Sequence, residues 1–131
     1  MNRNVINPWK WQDNFGFVQG IKISSGQHML FCSGQTSVDQ DGCLIHAGNM
    51  AAQINKSLDN IETVLHQADF QLSDIIQLKY YTTDVAVFSE NGQALMDRLN
   101  KAGCKPSSTL LGVKELFHPD IMVEIEALAV K

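Results

Sequence analysis

Ser33, Gly34 and Gln35 have residue types and a spacing that could serve a binding or catalytic site. They directly follow the apolar run Met29–Cys32, which predicts a short buried strand. Because Gly34 has no Cβ atom, the chain could turn sharply there, and a ligand could approach its backbone closely. Ser33 and Gln35 would then present polar groups at the end of the strand. The alternative is an ordinary strand-ending turn, since glycine is the residue that most often interrupts regular structure.

Glu124 and Glu126 form a second candidate group, in a segment near the C-terminus that alternates as a strand does. One side of this predicted strand is small and apolar and suits burial under helices; it comprises Val123, Ile125, Ala127 and Ala129. The other side combines the two glutamates, which need water or polar partners, with Met122, Leu128 and Val130. Two interpretations stay open. Either this face packs against other copies of the chain in a closed oligomer, with Glu124 in a cleft between subunits and opposite the Ser33–Gln35 turn of a neighbour, or both glutamates lie at the rim of a sheet edge.

Two amphipathic helices are predicted on either side of a strand. Apolar residues recur at three- and four-residue steps over residues 51–68, directly after Asn49, whose side chain can cap a helix. Gln53 and the other polar residues of this segment are expected on the solvated face. A second apolar stripe covers residues 88–102, with Asp84 as the expected cap.

Strands are predicted at residues 15–23, 29–32, 75–82, 108–114 and 121–130, and the first two are expected to form a hairpin. The order β-β-α-β-α-β-β predicts an α+β fold. Because strand–helix–strand crossovers are right-handed, both helices should lie on one face of a single sheet, which leaves the opposite face without a cover. Trp9 and Trp11 precede the first strand and share one side of an extended segment. They are expected to anchor on a core or an interface, with stacking on a ligand as the alternative.

The composition limits the classes of function. With 131 residues, 44% of them hydrophobic, residues 1–131 predict a single domain with a real core. The formal net charge of −4 and the lack of a basic cluster give no support to nucleic-acid binding. No apolar run is long enough to span a membrane, and no signal peptide is evident. Three cysteines at unrelated spacings favour a reducing, cytoplasmic compartment, and four widely separated histidines predict no metal site.

Five groups of residues together resemble the reactive intermediate deaminase (Rid) family, also described as YjgF/UK114-like or endoribonuclease L-PSP-like proteins. These groups are Phe17–Gly20, Phe31–Gln35, Ala51–Gln53 with Ser57–Ile61, Thr83–Asp84 and Val123–Ala127. The resemblance implies a chorismate-mutase-like fold and a homotrimer whose three sheets form a central barrel. It also implies small-molecule clefts at the subunit interfaces and chemistry without a metal or cofactor.

The resemblance further implies roles for individual residues. Deaminating members hydrolyse reactive enamines and imines to a keto acid and ammonia, and Glu124 takes the position of the glutamate that holds or activates the attacking water. Residues at positions that contact the substrate in the family are Phe17, Ser33, Gly34, Gln35, Asn91 and Ser108.

Two of these positions depart from the deaminating pattern. Ser108 stands where those members have an arginine that binds the substrate carboxylate, and a serine cannot form that bidentate ion pair. Phe17 stands at a position usually filled by tyrosine, so the hydroxyl is missing. Lys114 lies too far along the strand to replace the arginine, whereas Lys105 is closer but of unknown direction. The preferred substrate should therefore be neutral or lack an α-carboxylate.

Three functions stay open on the sequence. The first is hydrolysis of a small imine, enamine or related reactive metabolite in clefts between subunits. The second is a trimer that binds a small metabolite without turnover. Ribonuclease activity, reported for some relatives, is the least supported of the three, because the chain is acidic and has no basic groove.

Overall fold

A computed structural model describes residues 2–26 and 28–131 of the chain. Within them the chain forms six strands and three α-helices, in the order β1 (Asn2–Ile6), β2 (Gly20–Ser24), β3 (Met29–Gln35), α1 (Met50–Gln67), β4 (Ile75–Thr82), α2 (Val85–Glu90), α3 (Gln93–Lys101), β5 (Ser107–Gly112) and β6 (Val123–Val130). Short 3-10 turns cover Trp11–Asn14 and Leu72–Asp74. No helix in the described part of the chain has the length and apolar character needed to cross a membrane.

A mixed four-stranded sheet forms the centre of the molecule, in the order β3-β6-β4-β5. β6 is antiparallel to both of its neighbours, and β5 is parallel to β4. One face of the sheet packs against the helices in a core that includes Ile54, Leu58 and Ile61 of α1 and Leu95 and Leu99 of α3. The predicted α+β class, with its main helices on one face of the sheet, is confirmed.

The alternation predicted for β6 is also confirmed. The residues expected under the helices are at most 4% exposed, and they are Val123, Ile125, Ala127 and Ala129. Glu124 and Glu126 lie on the opposite face and are half-buried. In β4 the alternation breaks once, because the ladder with β6 shifts register between Ile75 and Gln77, so that Ile75 is buried and Ile76 only half-buried.

The N-terminal strands differ from the prediction of a single sheet. β2 does not pair with β3 in the expected hairpin; it pairs with β1 in a separate two-stranded sheet, in register from Asn2–Ser24 to Ile6–Gly20. β1 is fixed to the body of the protein by Arg3, whose guanidinium donates to the carbonyls of Ser73 and Asp74 at 2.9 and 3.1 Å. This strand was absent from the sequence prediction, so β2 was assigned the wrong partner.

The helix caps form as predicted, but the second helix is divided. Asn49 Oδ1 accepts a hydrogen bond from the backbone N–H of Ala52 at 3.0 Å, and Asp84 Oδ1 accepts one from Val87 at 3.1 Å. The segment predicted as one helix breaks at Asn91 and Gly92 into α2 and α3.

Gln53 is the clearest departure from the predicted helix pattern. It was expected on the solvated face of α1, yet it is fully buried. Its Nε2 donates to the carbonyls of His46 at 3.1 Å and Asp120 at 2.8 Å, and its Oε1 accepts the N–H of Met122 at 2.8 Å. Gln53 therefore ties α1 to the loop that leads into β6, two residues before Glu124.

Replacing Gln53 by leucine should destabilise the protein by roughly 2–4 kcal/mol, because buried backbone groups then lose their partners. The measurement is urea unfolding at one fixed protein concentration. Gln67→Leu, on the exposed side of the same helix, is the matched control and should change stability by less than about 0.5 kcal/mol. Equal losses in the two variants would contradict the role assigned to Gln53.

Candidate functional site

Ser33 and Gly34 lie inside β3, so the predicted strand-ending turn at these residues is wrong. The ladder between β3 and β6 pairs Cys32 with Ala127 and Gln35 with Ile125. Two residues of β3 therefore face one residue of β6, which is the arrangement of a β-bulge. A bulge leaves one residue of the strand outside the regular hydrogen-bonded ladder. The irregular backbone therefore lies at Ser33 and Gly34 of β3, which is an edge strand of the sheet.

Glu124 packs directly against the backbone of Gly34. A Cβ atom built on Gly34 would lie 2.7 Å from Cδ and 2.8 Å from Cγ of Glu124, and closer still to Oε1. Glycine suits this position because the Glu124 side chain approaches its Cα closely, and not because the backbone turns. Both residues belong to the same chain, so the expectation that Glu124 faces this turn in a neighbouring subunit is corrected to a contact within one chain.

The surroundings of Glu124 raise the pKa of its carboxyl. Burial raises the pKa of the Glu124 carboxyl, and the negative charge of Glu126 raises this pKa further. Glu126 forms an ion pair with Lys79 at 3.7 Å, and both side chains are about two-fifths exposed. An ion pair this exposed contributes little to the stability of the fold, but it places the charges of Glu126 and Lys79 near Glu124. A glutamate with a raised pKa exchanges its proton closer to neutral pH than an ordinary one, as acid–base catalysts do.

The helix-free face of the sheet carries a shallow groove beside the bulge. Its volume is about 380 Å³, and its lining includes Phe31, Ser33, Gln77, Lys79, Glu126 and Leu128. Phe31 is 73% exposed there. Gln35, at the end of β3, donates from Nε2 to the carbonyl of Ser33 at 3.4 Å. Gln77 and Lys79 of β4 border the same groove as Ser33, a proximity that nothing in the sequence indicates.

Ser108 lies on the other face of the sheet from Glu124. Ser108 pairs with Leu78, which is fully buried beneath the helices, whereas Glu124 pairs with Tyr81 on the open face. Residues paired across a ladder share a face, and successive residues alternate. The candidate residues of one chain therefore form two groups, one around Glu124 and one around Ser108.

Phe17 belongs to the second group. It directly precedes Val18, whose backbone forms a parallel bridge to Ser107 and donates to the carbonyl of Pro106 at 3.0 Å. The ring of Trp11 contacts Phe17 edge to face, with centroids 6.0 Å apart and an interplanar angle of 64°. This contact was not predicted, because nothing in the sequence indicates how the chain between the two rings bends.

Asn91 does not join either group. Its side-chain Nδ2 donates to the carbonyl of Val87 at 2.8 Å and so closes the C-terminal end of α2. The amide has a structural role within its own chain. Lys105, considered as a replacement for the missing arginine, is exposed.

Besides the Glu124 group, the thiol of Cys32 and the possible metal ligands are candidates for chemistry. Cys32 adjoins Ser33 but is buried, and this burial raises the pKa of its thiol, so the thiol stays protonated and weakly nucleophilic at neutral pH. In residues 2–26 and 28–131, no three His, Cys, Asp or Glu side chains come together in a group that could hold a metal ion.

Comparison with known proteins supplies independent evidence. The sequence profile described as Endoribonuclease L-PSP matches residues 13–131. A RutC family protein from Pyrococcus horikoshii is 29% identical over 115 residues, which are 88% of this chain and 86% of that protein. A 2-iminobutanoate/2-iminopropanoate deaminase from Escherichia coli K12 is 28% identical over 118 residues, 88% of this chain and 87% of that one. The crystal structure of a conserved Rid-family protein of unknown function, YyfB from Yersinia pestis, has a TM-score of 0.88 at 27% identity and covers 100% of both chains.

The contact between Gly34 and Glu124 predicts a specific coupling of their mutations. Gly34→Ala should cost about 1–3 kcal/mol, because the new Cβ displaces the carboxyl from its place. In a Glu124→Ala background the same change should cost less, by at least about 0.5 kcal/mol, because the side chain in conflict is gone. A double-mutant cycle measured by urea unfolding tests this.

Gly92→Ala is the matched control for this cycle. A Cβ on Gly92 would meet only the carbonyls of Phe88 and Ser89, at 3.6 and 3.7 Å, which is ordinary van der Waals contact. Gly92→Ala should show no coupling to Glu124→Ala. Full additivity of Gly34→Ala and Glu124→Ala would be incompatible with the packing described.

Proposed function

The chain belongs to the endoribonuclease L-PSP family, which includes the RutC and Rid proteins, and from this premise we propose that it hydrolyses the C=N bond of a small imine or enamine. Its α+β fold is the chorismate-mutase-like fold of its structural neighbours. The name of the E. coli relative gives the reaction class, deamination of an imine. The observation that best supports this reaction here is the partly buried Glu124 carboxyl, with its raised pKa, held against the irregular backbone of β3.

The proposed hydrolysis consumes one water molecule. The Glu124 carboxylate accepts a proton from that water as its oxygen attacks the C=N carbon, and the resulting carboxylic acid passes this proton to the imine nitrogen, which gives a tetrahedral amino alcohol. The carboxylate then takes the hydroxyl proton of the amino alcohol and delivers it to the nitrogen, the C–N bond breaks, and ammonia leaves as the carbonyl forms. An enamine first gains a proton on carbon to become the imine. We assign to the Gly34 backbone N–H, at the bulge, the stabilisation of charge that develops on the substrate.

The active site that we propose needs a second copy of the chain. Glu124 and Ser108 point to opposite faces of the sheet, so one chain cannot present both to the same small molecule. The open face of the sheet exposes Phe31 strongly, which is typical of a surface that another protein covers. A homotrimer with the three open faces in a central barrel would bring the Ser108 group of one chain to the Glu124 group of the next.

The substrate that we propose carries no α-carboxylate. Ser108 offers a hydroxyl where a carboxylate-binding site would need a cation, and Phe17 adds a ring without a hydroxyl. The 2-imino acids in the name of the E. coli relative are anions, so this chain should prefer a neutral imine.

The pH dependence of turnover should follow the charge of Glu126. Because that charge raises the pKa of Glu124, Glu126→Gln lowers this pKa and keeps Glu124 ionised to lower pH. The acid limb of the kcat/KM profile, measured with neutral imines generated in situ by an amine oxidase, should move to lower pH. Lys79→Gln leaves Glu126 without its cation and should move the limb to higher pH.

Glu124→Gln is the control for this series. It should reduce kcat by about 10²- to 10⁴-fold and remove the limb, because the base itself is absent. An acid limb that stays in place in both Glu126→Gln and Lys79→Gln would exclude Glu124 as the titrating base.

Substrate charge is tested by restoring the missing cation. Ser108→Arg should lower KM for 2-aminoacrylate at least about tenfold, since a desolvated ion pair with a carboxylate contributes strongly to binding. Asn100→Arg adds the same charge at an exposed position of α3 and should leave KM unchanged. Wild-type protein that already hydrolyses 2-aminoacrylate as fast as an arginine-containing relative would overturn the proposed preference for neutral substrates.

A further inference from the structure

An aromatic cluster of Trp11, Phe15 and Phe17 lies beside the Ser108 group. Trp11 contacts Phe17 at 6.0 Å and Phe15 at 6.4 Å between ring centroids, in both cases edge to face. Trp11 and Phe15 nevertheless stay 59% and 60% exposed. Large aromatic surfaces left in water beside a cleft are typical of contact sites, because they can bury much apolar area with little loss of side-chain freedom.

The segment that presents Trp11 is firmly attached to the fold. β1 pairs along its whole length with β2, and Arg3 fixes it to the start of β4 through two backbone carbonyls. Asn7 Oδ1 accepts a hydrogen bond from the backbone N–H of Gln19 at 2.9 Å, which links the two ends of the connection between β1 and β2. The position of Trp11 relative to Phe17 is therefore set by tertiary contacts. Trp11 also lies outside residues 13–131, the range that matches the family profile.

We propose that Trp11 is a specificity-determining residue that packs against an apolar group of a neutral substrate. This inference rests on the proposed function, because that function assigns Phe17 and Ser108 to the substrate site. A ligand at this end of the site would meet the rings of Trp11 and Phe17 and the hydroxyl of Ser108. Burial against the rings would strip water from a charged ligand group at a cost in free energy, whereas an aromatic or branched aliphatic group would gain ring contacts. The substrate class is thus an uncharged imine that bears such a group.

The experiment uses the two tryptophans of the chain as probes. Each gives one indole N–H resonance in a ¹H–¹⁵N NMR spectrum, and the variants Trp9→Ala and Trp11→Ala assign the pair. The full-length protein is titrated with phenylacetamide, a neutral aromatic analogue, and separately with acetamide and phenylacetate. The Trp11 resonance should shift with phenylacetamide, and the Trp9 resonance should not. Acetamide lacks the ring and phenylacetate carries a charge, so both should bind more weakly.

Trp9→Ala is the matched control, because Trp9 is 56% exposed and only two residues away. Trp11→Ala should weaken phenylacetamide binding by about 3- to 10-fold, as expected for loss of an aromatic contact. Trp9→Ala should leave the Kd within about twofold. If Trp11→Ala does not fold, the wild-type indole shifts and a Trp11→Leu variant still decide the question.

Several outcomes would overturn the inference. One is a Trp11 resonance that does not shift when phenylacetamide is added, and another is a Trp11→Ala variant that binds phenylacetamide as tightly as the wild type. A fall in light-scattering mass in Trp11→Ala would show that Trp11 contacts another copy of the chain, and would also overturn it. Imine turnover that is indifferent to Trp11 would remove this inference and leave the proposed hydrolysis standing. A shift of the Trp11 resonance with phenylacetamide, without turnover of any imine, would support the contact at Trp11 and overturn the proposed hydrolysis.

Discussion

The packing of the Glu124 carboxyl against the backbone of Gly34 is the contact on which the rest of the site depends. It favours a glycine, because a Cβ at position 34 would occupy the space of the carboxyl. The β-bulge lies at the same point, where Ser33 and Gly34 together oppose a single residue of β6. The contact also removes the carboxyl partly from water and so raises its pKa. One close approach thus positions the carboxyl and keeps part of it from water.

The helices and the buried amide of Gln53 support this contact from the helix-covered face of the sheet. The alternate residues of β6 are buried under α1 and α3, so the strand cannot rotate without exposing a large apolar area. Gln53 binds the N–H of Met122 and the carbonyl of Asp120, which fixes the entry of the chain into β6. The open face of the sheet is constrained far less, and there the polar groups Lys79, Glu126 and Ser33 surround a groove.

Sequence reasoning predicted what depends on periodicity and missed what depends on register. The alternation of β6 placed Glu124 on the helix-free face, and side-chain chemistry identified the caps Asn49 and Asp84. The bulge at Ser33 and Gly34 was missed, because a bulge is a relation between two strands and leaves no periodic signal in one of them. Gln53 was misplaced for a similar reason: its burial depends on carbonyls of two distant loops. β1 was missed because its pairing with β2, together with the anchoring of Arg3, is visible only in three dimensions.

The position of β5 at the edge of the main sheet affects how readily the newly synthesised chain aggregates. Beyond Ser107, which bridges to Val18, no strand in the described part of the chain pairs with the outer edge of β5, and Leu110 and Leu111 are 40% and 47% exposed. An open apolar edge accepts any extended segment that presents itself, including one from a misfolded molecule. This edge therefore makes the single chain prone to aggregation while it is being synthesised and folded.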